Sequence, residues 1–189
     1  RLRTSGRRAA VELRVVQGYS SSGPGRLAGY AAVFDKPSQD LGGFVEFIRP
    51  GAFKRTLEDR ARDPLALVHH LPHMVLGRRS SGTLRLSEDA KGLAFEIDMP
   101  DTSTGRDLLV SVERGDVKGA SFAFTVPDGG DRWDRRSDPY TRELLDVDLH
   151  EITVTATPAY PDTEVARRAL EGLALHPRVA VAGRYLDTL

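Results

Sequence analysis

What most constrains this chain is a succession of short apolar or alternating runs, each cut off by turn chemistry before it can grow into a long helix. The clearest are Thr83-Leu84-Arg85-Leu86 and Leu93-Ala94-Phe95-Glu96-Ile97, joined by a polar turn that ends in Lys91-Gly92. Side chains alternate between the two faces of a strand, so period-two patterning of this kind predicts a half-buried meander. Val11 to Val15 and Leu27 to Phe34 flank the turn cluster Ser20-Ser21-Ser22-Gly23-Pro24-Gly25 and predict a hairpin. Further strands are expected at Phe44 to Ile48, at Leu65 to His69 and around Ser121. Helical spacing is confined to a few places. Phe53, Leu57 and Ala61 mark a helix over Ala52 to Ala61, and Leu108, Leu109 and Val112 mark one over Gly105 to Arg114, with Gly115 where it would stop. Val165, Ala169 and Leu173 share a face of a last helix opened by Pro161-Asp162. The fold class is therefore mainly β with peripheral helices, of the α+β kind.

At 189 residues with 40% hydrophobic content, the chain fits one domain with a real core. We expect a flexible basic arm over residues 1–10, a single domain over 11–175 and a C-terminal tail over 176–189. The 27 basic and 27 acidic residues cancel, so no global field favours nucleic acid or an anionic membrane. Cysteine is absent, which removes disulfides, thiolate catalysis and thiolate metal ligation and suits a reducing compartment. No apolar run approaches the roughly 18 residues of a membrane span, and the Arg-rich start has no secretory h-region behind it. A cytoplasmic setting is expected. Pro127 to Tyr140 is rich in Gly, Asp and Arg, has no usable period and predicts a surface loop.

Three separated segments carry candidate chemistry, Val68-His69-His70-Leu71, Gly119-Ala120-Ser121-Phe122 and His150-Glu151-Ile152. They supply a base, a hydroxyl nucleophile and a carboxylate to orient the base, the minimum set for acyl transfer by a serine hydrolase. Around Ser121, period two places Phe122 and Phe124 on a core face and Gly119, Ser121 and Ala123 on the other. That small-residue row leaves room for an extended peptide, although on this segment alone a small residue packed beneath another element is the commoner explanation. The segment lacks the Gly-x-Ser-x-Gly elbow, which disfavours an α/β-hydrolase. If Leu65 to His69 is a strand, His69 and His70 point to opposite faces and only one enters a given site. His69, His70 and His73 with Asp148 or Glu151 also permit a zinc reading, but Pro72 interrupts any helix there.

The stretch from Glu143 to Thr157 reads as one long strand in which the apolar phase switches. Leu145, Val147 and Leu149 are odd, whereas Ile152, Val154 and Ala156 are even. A bulge at His150-Glu151 would produce this, and bulges re-aim side chains at functional sites. In a regular strand Glu151 would inherit the core-facing row of Leu149, where a carboxylate needs a partner such as histidine. The alternative places Glu151 on the surface, and Asp148 competes with it as the acidic member.

Taken together, these fragments resemble a family, the prohead (capsid maturation) proteases of HK97-type tailed phages, related in fold to the herpesvirus assemblins. The resemblance runs from about Gly29 to Ala166. It includes Gly29-Tyr30-Ala31-Ala32-Val33-Phe34, Phe47-Ile48-Arg49-Pro50-Gly51-Ala52-Phe53, His70 with Leu76-Gly77-Arg78, Gly119-Ala120-Ser121-Phe122-Ala123-Phe124, Glu151-Ile152-Thr153-Val154 and Thr157-Pro158-Ala159-Tyr160-Pro161-Asp162-Thr163. It implies His70 as base, with His69 where the family usually has Asn, Ser121 as nucleophile and Glu151 as the acidic third member. Leu71 stands where the family usually has Asp.

The resemblance further implies a closed or nearly closed antiparallel β-barrel and a serine endopeptidase that needs no cofactor and no metal. Its substrates would be scaffold polypeptide, the scaffolding region of the major capsid protein and the enzyme itself, cut inside the immature capsid in the bacterial cytoplasm. Self-cutting would account for a start at Arg1. Herpesvirus relatives act as dimers, so a homodimer is a partner the resemblance allows; nucleic acid and membrane are not implied. The turn at Ala159-Tyr160 is the expected source of oxyanion donors. Two other readings stay open, a noncatalytic capsid-assembly scaffold module and a His-ligated metal-dependent hydrolase.

Overall fold

The computed structural model describes residues 13–17, 25–38, 40–156 and 179–181. The basic arm, the last helix and the Ala159-Tyr160 turn expected from the sequence lie outside the described residues, as does most of the tail.

The predicted hairpin forms from β1 (Leu13–Gln17) and β2 (Arg26–Val33), and the predicted meander from β6 (Leu84–Glu88) and β7 (Gly92–Asp98). They join into one antiparallel sheet of order β1-β2-β7-β6. Asp89 closes the β6–β7 turn by accepting from the N–H groups of Lys91 and Gly92, at 2.7 and 3.1 Å. Gly92 is required for packing, because a Cβ there would sit 2.0 Å from the Ala32 carbonyl oxygen.

A five-stranded sheet, ordered β12-β8-β11-β4-β5, contains β4 (Leu65–Val68), β5 (Leu71–Arg78), β8 (Gly119–Thr125), β11 (Asp148–Thr155) and β12 (Val179–Val181). Leu27, Leu93, Ile97 and Met99 from one side and Phe122, Phe124, Ile152 and Val154 from the other share a single buried cluster. Phe53 meets Phe122 edge-on at 5.3 Å between ring centroids, and Phe122 stacks on Phe124 at 5.2 Å. The even-numbered row of β8 and, from Ile152 onward, that of β11 therefore look into the core, as the Phe122/Phe124 alternation predicts for β8.

The expected barrel does not close among the described residues. The strands fall into three separate sheets, and two of the pairings, β4 with β11 and β3 (Phe44–Ile48) with β10 (Tyr140–Leu144), are parallel. Parallel neighbours need crossovers instead of tight turns, so the chain does not wind as one continuous antiparallel ribbon.

The third sheet, ordered β3-β10-β9, also corrects the loop expected over Pro127 to Tyr140, because β9 (Asp131–Asp134) lies inside it. Its signal is ionic instead of apolar. Arg142 is buried between Asp131, at 2.8 Å, and Glu46, at 3.0 Å, and its guanidinium lies over Trp133, which packs on Phe44. The expected single strand from Glu143 to Thr157 is likewise two, β10 ending at Leu144 and β11 beginning at Asp148.

α1 (Lys54–Glu58) is shorter than its apolar spacing suggests, because the Arg79 guanidinium takes up the carbonyls of Thr56, Leu57, Asp59 and Arg62, ending the helix with its orphan acceptors satisfied. α2 (Ser103–Glu113) starts at an N-cap where Thr102 Oγ1 accepts from the Gly105 N–H at 3.2 Å. It stops before Gly115, whose φ of 77° is the left-handed conformation expected there. Among the described residues no helix is long and apolar enough to cross a membrane.

Candidate active site

The site is built on the hairpin between β4 and β5. Val68 pairs with Leu71, leaving His69-His70 as a two-residue turn, and both have positive φ, 51° and 58°. Two successive left-handed residues are the requirement of a type I′ turn, whose hand suits the strand twist. Asn and Gly usually supply it; His is among the few other residues enriched in that region. The histidines are thus not the end of a strand with opposed faces, as the sequence suggests, but the turn itself.

β11, lying parallel to β4, holds this turn along its odd-numbered face. The His69 N–H donates to the Val154 carbonyl at 3.1 Å, and the His70 N–H to Thr153 Oγ1 at 2.8 Å. Thr153 Oγ1 in turn donates to the Leu67 carbonyl at 3.2 Å, and Thr155 Oγ1 bonds His69 Nδ1 at 2.9 Å. One step back along the same face, the Glu151 carboxylate binds His70 Nδ1.

The register of β11 on β8 completes the arrangement. Thr153 stands opposite Ser121, and Glu151 opposite Ala123. The ladder shifts between Leu149 and Glu151, so the bulge inferred from the apolar phase switch is present, with His150 as the extra residue. It corrects one expectation: Glu151 does not inherit the core row of Leu149 but takes the opposite face, the one that carries Ser121. His150 stays exposed, its Nε2 3.1 Å from Thr125 Oγ1.

Ser121, His70 and Glu151 are all buried, at 3%, 5% and 8% exposure. The small-residue row around Ser121 is therefore covered instead of open, contrary to the expectation of free room for a peptide. Within the described residues, two buried polar atoms of this group have no hydrogen-bond partner, His70 Nε2 and Glu151 Oε2. Leaving such a group unpaired costs about 1–3 kcal/mol, so this exception to general satisfaction calls for a chemical explanation. With Nδ1–H donated to Glu151, a neutral His70 ring carries its lone pair on Nε2.

The other candidates have different partners. Asp148 is held by Arg55 at 2.6 Å and Arg62 at 2.9 Å, so its charge is matched by two guanidinium groups. His73 is exposed on β5, while His69 and His70 are committed to different partners. Among the described residues no group of three or more His, Cys, Asp or Glu side chains is arranged to hold a metal ion. Sequence reasoning missed Thr153 and Thr155. Their signal was present in the alternation, since Glu151, Thr153 and Thr155 form a polar row opposite Ile152 and Val154, yet all three are buried.

The family model described as caudovirus prohead serine protease matches residues 10–175. The chain belongs to that family. It is accordingly a serine endopeptidase of phage capsid maturation. No curated protein and no solved structure gives a significant match to the prohead protease described here.

Proposed function

We propose that this prohead protease cuts scaffold polypeptide or the scaffolding region of the major capsid protein, and its own chain, within the immature capsid in the bacterial cytoplasm, using Ser121, His70 and Glu151. The observation that carries the reading is the state of His70. Its Nδ1 is fixed by a carboxylate, its buried Nε2 is unpaired among the described residues, and the carboxylate shares a sheet face with Ser121.

In the first step His70 Nε2 takes the Ser121 hydroxyl proton as Oγ attacks the peptide carbonyl carbon. Glu151 keeps the ring oriented and stabilises the imidazolium that results. The tetrahedral intermediate collapses as His70 returns the proton to the leaving amine, giving an acyl-enzyme. Water, deprotonated by the same Nε2, then releases the acid and restores Ser121. Backbone N–H donors near the attacked carbonyl stabilise the oxyanion. Because Ser121 and His70 are so little exposed, peptide reaches them only after the residues covering them are displaced locally.

The test is coexpression with the cognate major capsid protein, as wild type and as Ser121→Ala, with both chains followed by intact mass. Trimming that appears with wild type alone and survives a chelator supports the reading. Assembly with capsid protein in which wild type leaves both chains uncut would favour the noncatalytic scaffold module.

A further inference from the structure

We propose that Thr153 is a positioning residue for the proteolytic reaction, holding the left-handed His69-His70 turn so that the His70 ring lies over the sheet face carrying Ser121. The inference rests on the assignment of His70 and Ser121 as base and nucleophile. It concerns a residue that acts through the backbone of the turn.

Four observations converge on its hydroxyl. Thr153 is fully buried, at 0% exposure. Its Oγ1 accepts the His70 N–H at 2.8 Å and donates to the Leu67 carbonyl at 3.2 Å, tying the end of β4 to the turn that follows it. In the β8–β11 ladder it is the direct partner of Ser121, and along β11 it is the next residue on the face of Glu151. The turn it grips is one that histidine does not adopt freely, with φ of 51° and 58° at successive residues. Left-handed backbone at non-glycine residues costs roughly 1–2 kcal/mol per residue and persists only where surrounding structure imposes it.

Removing the hydroxyl has a definite consequence. The His70 N–H would be left buried without an acceptor, and the backbone would relax toward an ordinary turn that gives that N–H another partner. The ring rides on that backbone. A misplacement near 1 Å is enough to cost about 10²-fold in a reaction that depends on alignment. Valine matches threonine in shape and favours strands, so Thr153→Val isolates the hydroxyl. Serine keeps the hydroxyl and loses only the methyl.

The experiment measures covalent labelling by a fluorophosphonate probe in the full-length chain, giving a maximal rate and a half-saturation concentration for wild type, Thr153→Val, Thr153→Ser, Thr56→Val and Ser121→Ala, with the thermal midpoint of each. Thr56 is the control. It is equally buried, donates to the Val147 carbonyl at 2.9 Å and accepts the Leu149 N–H at 3.1 Å, but it sits on α1 away from the turn. The expected result is a fall of about 10–100-fold in the maximal rate for Thr153→Val with half-saturation unchanged, and rates within about 3-fold of wild type for Thr153→Ser and Thr56→Val.

Equal loss in Thr153→Val and Thr56→Val would overturn the positioning role and leave Thr153 as ordinary core. So would a Thr153→Ser variant as slow as the valine variant. Should Thr153→Val fail to fold, Thr153→Cys, a much weaker hydrogen-bonding group of similar size, is read against Thr153→Ser in the same way. Failure of the underlying assignment looks different: wild type is unlabelled, or Ser121→Ala is labelled as fast as wild type, and the positioning role falls with it.

Discussion

Leu149 and Glu151 are separated by one residue in the same strand, yet they face opposite sides of it. Leu149 pairs with Phe124 and joins the core, while Glu151 pairs with Ala123 on the face that bears Ser121. The extra residue, His150, makes this geometry, and without it a carboxylate two positions after a core leucine would point into the hydrocarbon cluster. Instead Glu151 meets the His70 ring. Glu151→Gln preserves size and removes charge, so on the proposed mechanism the ring loses its electrostatic partner as it protonates. We expect turnover to fall by about 10²–10³-fold with little change in KM, measured by cleavage of capsid protein over time. Unchanged turnover would remove Glu151 from the mechanism.

On the mechanism proposed above, Ser121→Ala removes the nucleophile and His70→Ala the base. Each is expected to reduce cleavage on the order of 10⁴-fold or more, and the double substitution to cost no more than either alone, because the two act as one unit. Additive losses in the double variant would show that they act independently.

The His69-His70 turn gives a stability prediction that does not depend on catalysis. Position 69 needs a left-handed backbone, which Asn tolerates and a β-branched residue does not. His69→Asn is expected to unfold at or above the wild-type denaturant midpoint, whereas His69→Val should lose about 1–2 kcal/mol. Chemical denaturation decides between them, and equal midpoints would mean that the turn relaxes at little cost.

Much of this arrangement was legible in the sequence, and its gaps have physical causes. Period-two patterning located β1, β6, β7 and β8, and an apolar run located β2, because each sends at least one row of side chains into the core. The phase switch located the bulge, since a slip of one residue is the simplest way to move an apolar row from odd to even positions. β9 was hidden because Arg142 is buried by carboxylates and Trp133, so its neighbours look like loop composition. That the sheets do not close among the described residues was not readable, since local alternation reports which face is buried and says nothing about which edges pair. In the same way His70 and Ser121 were recognisable as residue types, whereas the turn that presents His70 and the threonines that grip it depend on a parallel pairing between residues 86 positions apart, Leu65 with Glu151 through Val68 with Val154.

That buried ionic cluster yields a further test. The side chains of Arg142 and Glu46 are 6% and 4% exposed and face each other at 3.0 Å. Arg142→Met would leave the Glu46 carboxylate buried without its cation, at a cost of about 3–5 kcal/mol, and Glu46→Leu in the same chain should recover much of it. Thermal midpoints of the two variants provide the measurement. A double variant no more stable than Arg142→Met would mean that Asp131 and Trp133, and not the Glu46 pair, need the arginine.

Asp98 links stability to acid pH at the end of β7. The forked guanidinium of Arg85 grips its carboxylate at 2.7 and 2.8 Å, and Arg26 adds a third contact at 2.9 Å. The Arg85 hydrogen bonds, followed by that from Arg26, lower its pKa from 3.8 to about 2. A carboxylate held below its unfolded value binds fewer protons when folded than when unfolded. Its contribution is therefore complete above about pH 4 and disappears as pH falls toward 2. Asp98→Asn, which never ionises, should be less stable than wild type at neutral pH, and the gap should narrow through that window until the two converge near pH 2. The side chain is partly exposed, so 1 M salt should shrink the gap at neutral pH as well. Thermal melts of both proteins between pH 7 and pH 2 check this, and a gap that stays constant with pH would show that Asp98 acts by packing alone.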